Sequence, residues 1–118
     1  MQTAYGNVPA SADATTVYVP VMQDNTVIGG YVTCNGTTLD EISTVKIQSG
    51  ATVLGTATFP DNSAAGTTVA VVMSTTLATR KTLVTPAIPI GIVTGGEQTT
   101  TSGFNVVLRL DDSCTPRD

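Results

Sequence analysis

Short runs in which apolar and polar residues alternate, separated by turn signals, limit most strongly how this chain can fold. Phe104, Val106, Leu108 and Leu110 alternate with Asn105, Val107 and Arg109, and Val45 and Ile47 alternate with Lys46 and Gln48. Val17, Val19 and Val21 alternate in the same way with Tyr18, Pro20 and Met22. A period of two puts each apolar set on one face of a strand, and no convincing helical period competes with it. The composition fits this geometry. About a fifth of the residues are Thr, and with Val and Ile they supply β-branched side chains that pack on a pleated surface, while Gly supplies the unusual angles of tight turns.

Residues 1–14 mix Gly, Pro, Ala, Ser and Asn without a period and read as an extended N-terminal arm, up to about 45 Å long when stretched. The folded domain is then expected over 15–112, with 113–118 as a short polar tail. Thr16 opens the first strand, and Pro20, which cannot donate to a ladder, marks an edge strand or its end. After a turn at Gln23–Asn25, a strand from Thr26 to Cys34 places Ile28, Gly30, Val32 and Cys34 on one face, so Cys34 points into the core. Leu39–Ile42 is one short turn of helix or a loop. Val45 to Phe59 reads as an antiparallel hairpin about Ser49-Gly50, with Val53, Gly55, Ala57 and Phe59 inward.

Thr68 to Ser74 is apolar on both faces, as expected of a central strand. Leu83 to Ile92 suggests two strands or one bent by Pro86 and Pro89, Gly95 to Ser102 a loop, and Phe104 to Leu110 the last strand. About eight short strands make this a single, all-β antiparallel sandwich or jelly roll. Such a domain must cover its edges, which Pro20, Pro86 and Pro89 do in part and subunit pairing or strand exchange completes.

At 118 residues, one core is expected and no staple is required. Charged residues are only 12% of the chain, about half the usual ~25%, so Thr, Ser, Asn and Gly must cover the surface. The net charge of -4, with five Lys plus Arg, attracts neither phosphate backbones nor an anionic membrane, so no nucleic-acid or membrane partner is expected. No stretch approaches the ~20 apolar residues of a membrane span. The N-terminus has neither a basic start nor an apolar run, and with Met1 it leads us to expect a chain made and used without export. Cys34 and Cys114 lack metal-ligand spacing. A disulfide between them stays open, with two unpaired thiols the simpler expectation.

Catalytic constellations find few residues to use. There is no His, so a Ser-His-Asp arrangement has no base, and a lysine substitute would have to be Lys46 or Lys81. Lys46 lies between inward Val45 and Ile47 and should face solvent. The acid pairs Asp40-Glu41 and Asp111-Asp112 sit where chains turn, and Gly29-Gly30 and Gly95-Gly96 lack the following helix that cradles phosphate. Asn35-Gly36-Thr37 is better used as a turn than as a glycosylation sequon. We therefore expect no catalytic residue, no metal, no cofactor and no enzyme activity.

The candidates that remain are contact residues. In the arm, Tyr5 and Val8 are apolar anchors that order on docking, and Tyr18, like Tyr31, lies on a strand as either an exposed aromatic or a partly buried one with a wet hydroxyl. Arg80-Lys81, the sole basic pair, is either a solvated loop or a salt contact to an acidic neighbour. A sugar platform would have to use Tyr5, Tyr18 and Tyr31, because the chain has no Trp.

The hairpin with its Gly-Ala-Thr-Val-Leu-Gly-Thr centre at 50–56, the Pro-Asp-Asn-Ser-Ala-Ala-Gly-Thr-Thr-Val run at 60–69 and the closing Gly-Phe-Asn-Val-Val-Leu-Arg-Leu at 103–110 resemble small virion proteins of tailed bacteriophages. The likeness is one of pattern and composition over roughly residues 16–110. It implies a β-sandwich or jelly-roll cement or decoration protein, without enzyme activity, made in the host cytoplasm and bound to the capsid surface. The expected partners are further copies, with a trimer favoured, and the major capsid protein. The alternative is a receptor- or glycan-binding module of a fibre or adhesin.

Overall fold

The computed structural model of the protein describes residues 2–11, 15–35, 43–60, 63–96 and 102–111. Among them are nine strands and one helical turn: β1 (Gln2–Ser11), β2 (Thr16–Val19), β3 (Thr26–Cys34), β4 (Ser43–Ser49), β5 (Thr52–Phe59), β6 (Thr68–Ala70), β7 (Val72–Met73), α1 (Leu77–Arg80), β8 (Ile90–Gly96) and β9 (Ser102–Asp111). A front sheet has the order β1-β9-β3-β6, and a back sheet the order β2-β8-β4-β5-β7. All pairings are antiparallel. The chain changes sheet repeatedly, and with β7 as a short addition beside β5 the other eight strands have the order of a jelly-roll sandwich.

The alternation read from the sequence builds the core. Phe104, Val106, Leu108 and Leu110 of β9 are buried, and Asn105, Val107 and Arg109 face outward. From the back sheet, Val45, Ile47, Ala57, Phe59, Ile90 and Ile92 meet them. Phe59 and Phe104 join the two sheets directly, with ring centroids 5.4 Å apart and a tilt of 43°. Each such side chain contributes about 1.5–3 kcal/mol by leaving water, before the entropy of ordering it is subtracted. Cys34 is fully buried, and its thiol donates to the Ala64 carbonyl at 3.1 Å. Cys114 and the tail at 113–118 lie outside the described residues, as do Asp40, Glu41 and the stretch Leu39–Ile42.

Several expectations are corrected. Residues 2–11 are not a free arm but the ten-residue strand β1, paired with β9 from Gln2↔Leu110 to Val8↔Phe104. The sandwich therefore begins well before residue 15. Ile28, expected inward, is 43% exposed, because β3 carries an extra residue between Val27 and Gly29 and the phase changes there. In β5 a similar irregularity sets Ile47 opposite Gly55 and Gln48 opposite Val53, so Leu54 turns inward and Val53 outward.

The run Thr68 to Ser74 is not a central strand. It crosses the sandwich, with β6 pairing β3 at the front edge and β7 pairing β5 at the back edge. Val71 fills the corner, packed beside Gly55, while Val72 is 72% exposed. Strands that switch sheets at a corner take this form. Gly95 and Gly96 belong to β8, opposite Thr44 and Ser43, and are not in a loop. Leu83 to Ile88 forms two isolated bridges, Asn25↔Val84 and Thr85↔Ile88, in place of strands, and Ile88 is exposed. At the hairpin turn Gly50 has φ of 60°, the left-handed region that Gly enters without steric cost.

Two neighbouring glycines have opposite roles. A Cβ on Gly30 would clash with the Val107 carbonyl oxygen and approach Leu108 Cδ2 to 2.7 Å, whereas one on Gly29 would meet nothing within 4 Å. Gly30→Ala is expected to cost about 1–3 kcal/mol in urea unfolding, and Gly29→Ala to change stability by no more than about 0.5 kcal/mol. Equal effects at the two positions would contradict this packing.

Candidate functional site

The outer face of the front sheet gathers the polar and aromatic side chains with most to offer a partner. Its rows follow from strand register. Tyr5 lies opposite Val107, Val107 opposite Tyr31, and Tyr31 opposite Ala70. The two tyrosines are 73% and 58% exposed, too open to be core residues with wet hydroxyls. They flank β9 at about two strand spacings, or about 10 Å.

One row along, Asn7 lies opposite Asn105, Asn105 opposite Thr33, and Thr33 opposite Thr68. Their side chains bond laterally across the strands. Asn7 Nδ2 donates to Asn105 Oδ1 at 2.7 Å, and Asn105 Nδ2 donates to Asn35 Oδ1 at 2.9 Å. The hydroxyls of Thr33 and Thr68 are 2.7 Å apart. Each amide nitrogen carries a second proton, and Asn7 Oδ1 still has acceptor capacity, so the row is held in place without being used up. On the other side of the tyrosines lie Thr3, Arg109 and Gly29, with Thr3↔Arg109 and Arg109↔Gly29 in register.

This relief leaves two open grooves beside the tyrosine row. One, of about 520 Å³, runs past Ile28, Gly29 and Tyr31 to Arg109 and Ala70. The other, of about 360 Å³, lies between Tyr5, Asn7, Tyr31 and Asn105. Gly29, where an added Cβ would meet nothing within 4 Å, keeps part of the first one clear of side chains. Charge is balanced along β9, where Arg109 and Asp111 project from the same face two positions apart.

The contact residues expected from sequence are scattered by the fold. Tyr5 is on this face and exposed. Val8, expected as a docking anchor, is 1% exposed in the chain's own core, because β1 is a strand whose inward positions are filled by its own packing. Tyr18 is on the outer face of the back sheet, beside Gly91, on the strand β2 that ends just before Pro20. Arg80 and Lys81 are exposed at the end of α1, with their backbone N–H groups donating to Thr76 and Leu77 carbonyls. They lie in a helical turn that the sequence pattern did not reveal. Lys46 faces solvent on the back sheet.

Nothing in the sequence pattern groups Tyr31, Asn7, Asn35 and Asn105. The alternation assigns outward positions one strand at a time, and only register brings those positions into rows. Among the described residues, no group of three His, Cys, Asp or Glu side chains is arranged to hold a metal ion, and no helix is long and apolar enough to cross a membrane. No family model, curated protein or solved structure matches this chain.

The asparagine row offers a direct check of how this face is held. Asn105→Ala removes both lateral bonds of an exposed residue and is expected to lower stability by about 1 kcal/mol, read as a drop of a few degrees in thermal midpoint. A loss of several kcal/mol would mean that the row is what secures β1 to the sheet.

Proposed function

We propose that the chain is a structural virion protein that works by contact: it associates into an oligomer and attaches to the outside of an assembled phage capsid, which it stabilises. The observation that carries this reading is the edge of the front sheet. β2, β6 and β7, the other edge strands, are only four, three and two residues long, as edges are when a domain protects them. β1 is ten residues long and carries no charged side chain, and Pro9 is the sole blunting residue along it. A neighbouring subunit would cover its free edge.

The weakly charged, Thr-rich surface supports the same reading, since large contacts over it desolvate few charges. The resemblance of the hairpin, the 60–69 run and the closing strand to tailed-phage decoration proteins is what suggests a capsid as the lattice. The protein would bind the assembled shell more tightly than free subunits, stabilising the shell by mass action, and several modest contacts tied together in one oligomer would add through effective concentration.

Solution mass followed by co-sedimentation with shells of the phage that encodes the chain tests this. We expect an oligomer that sediments with the shells and raises their thermal midpoint. Thr3→Lys with Asn7→Lys places on β1 the charges that natural edges use, and it is expected to yield folded monomers with reduced shell occupancy. A wild-type monomer that never sediments with shells would remove the proposal.

A further inference from the structure

We infer that the outer face of the front sheet is a binding site for an uncharged glycan of at least two pyranose rings, centred on Tyr5, Val107 and Tyr31. The inference is distinct from the capsid reading, which uses the free backbone edge of β1: Thr3 and Asn7 border both, whereas Tyr31 on β3, two strands in from that edge, belongs to this face alone.

The chemistry of the face specifies the class of ligand. A pyranose ring presents a C–H face that packs on an aromatic side chain and a rim of hydroxyls that both donate and accept. Tyr5 and Tyr31 provide two such aromatics in one register row, at a spacing that asks for at least two rings. Next to them, Asn7, Asn105 and Asn35 present amides already oriented by bonds of 2.7 and 2.9 Å. Ordering them costs the ligand little, which is the advantage of a preorganised site.

Two further observations separate a glycan from the other occupants of such a face. The grooves of about 520 and 360 Å³ on either side of the tyrosine row suit a ligand that fills concave space, while a flat protein surface would leave them wet. Arg109 and Asp111 carry opposite charges on the same face, and the chain's net charge is -4, so no field gathers an acidic polymer here. The ligand is therefore neutral, a hexose or N-acetylhexosamine chain.

Tyrosine fluorescence gives the readout, because the chain has three Tyr and no Trp. The probes are maltohexaose, cellohexaose, mannohexaose and chitohexaose, with an oligogalacturonate as the charged control. At least one neutral oligosaccharide is expected to bind, and Tyr5→Ala and Tyr31→Ala are each expected to weaken it by roughly tenfold or more. Tyr18→Ala, on the other sheet, should leave binding unchanged. Circular dichroism and solution mass of every variant accompany the titrations. Absence of binding by every neutral probe, binding of the oligogalacturonate alone, or undiminished binding by the folded Tyr5→Ala and Tyr31→Ala variants would overturn the site. A fall in solution mass on Tyr31→Ala without any glycan binding by the wild type would identify the face as a subunit contact instead. Loss of glycan binding with shell attachment intact, or the reverse, keeps this inference and the capsid reading distinguishable.

Discussion

The structure depends on β9 lying between β1 and β3. This last strand pairs with the first along nearly its whole length, so the full front sheet needs residues 2–11 and 102–111 to meet. Closing so long a loop costs entropy that rises only logarithmically with length, but the cost comes before the contacts that repay it. What repays it is the inward row Phe104, Val106, Leu108 and Leu110, which caps the back sheet and brings Phe104 against Phe59. β9 thereby joins the pairing of the front sheet to its packing on the back sheet.

The same pairing makes the outer face. With β9 fixed, Tyr5 has to lie opposite Val107 and Asn7 opposite Asn105, and β3 brings Tyr31 and Thr33 into the same rows. Side chains from positions 5, 31 and 107 thus share one surface on paired strands rather than on loops. A surface on paired strands keeps its side-chain spacing, and the lateral amide bonds remove part of the remaining freedom. The proposed site is rigid for the same reason that the core is closed.

Where alternation and fold disagree, the cause is local and physical. Counting by twos back from Cys34 and Val32 puts Ile28 inside, yet an extra residue after Val27 reverses the phase, and the same happens at Leu54. A bulge leaves no distinct mark in an apolar run such as Thr-Val-Leu-Gly or Thr-Val-Ile-Gly. Two-sided hydrophobicity at 68–74 suggested a buried strand, but a segment crossing between sheets is also apolar, since its residues serve two layers in turn. Residues 2–11 looked like an arm because Gly6 and Pro9 broke the pattern. In the fold Gly6 is needed for close packing against Ile92 and Val19 of the opposite sheet.

The sequence by itself determined the all-β class, the hairpin at Gly50, the inward set of the last strand, the burial of Cys34 and the outward direction of Lys46. These depend on period-two alternation and turn chemistry, which are local and carried by neighbouring residues. Only the tertiary structure decided that residues 2–11 belong to the sheet, that Val8 is core, and that Tyr5 joins Tyr31 while Tyr18 lies on the other side. Those outcomes depend on register and strand order, set by contacts between residues far apart in the chain, where alternation fixes which face a side chain takes but not which side chain stands next to it.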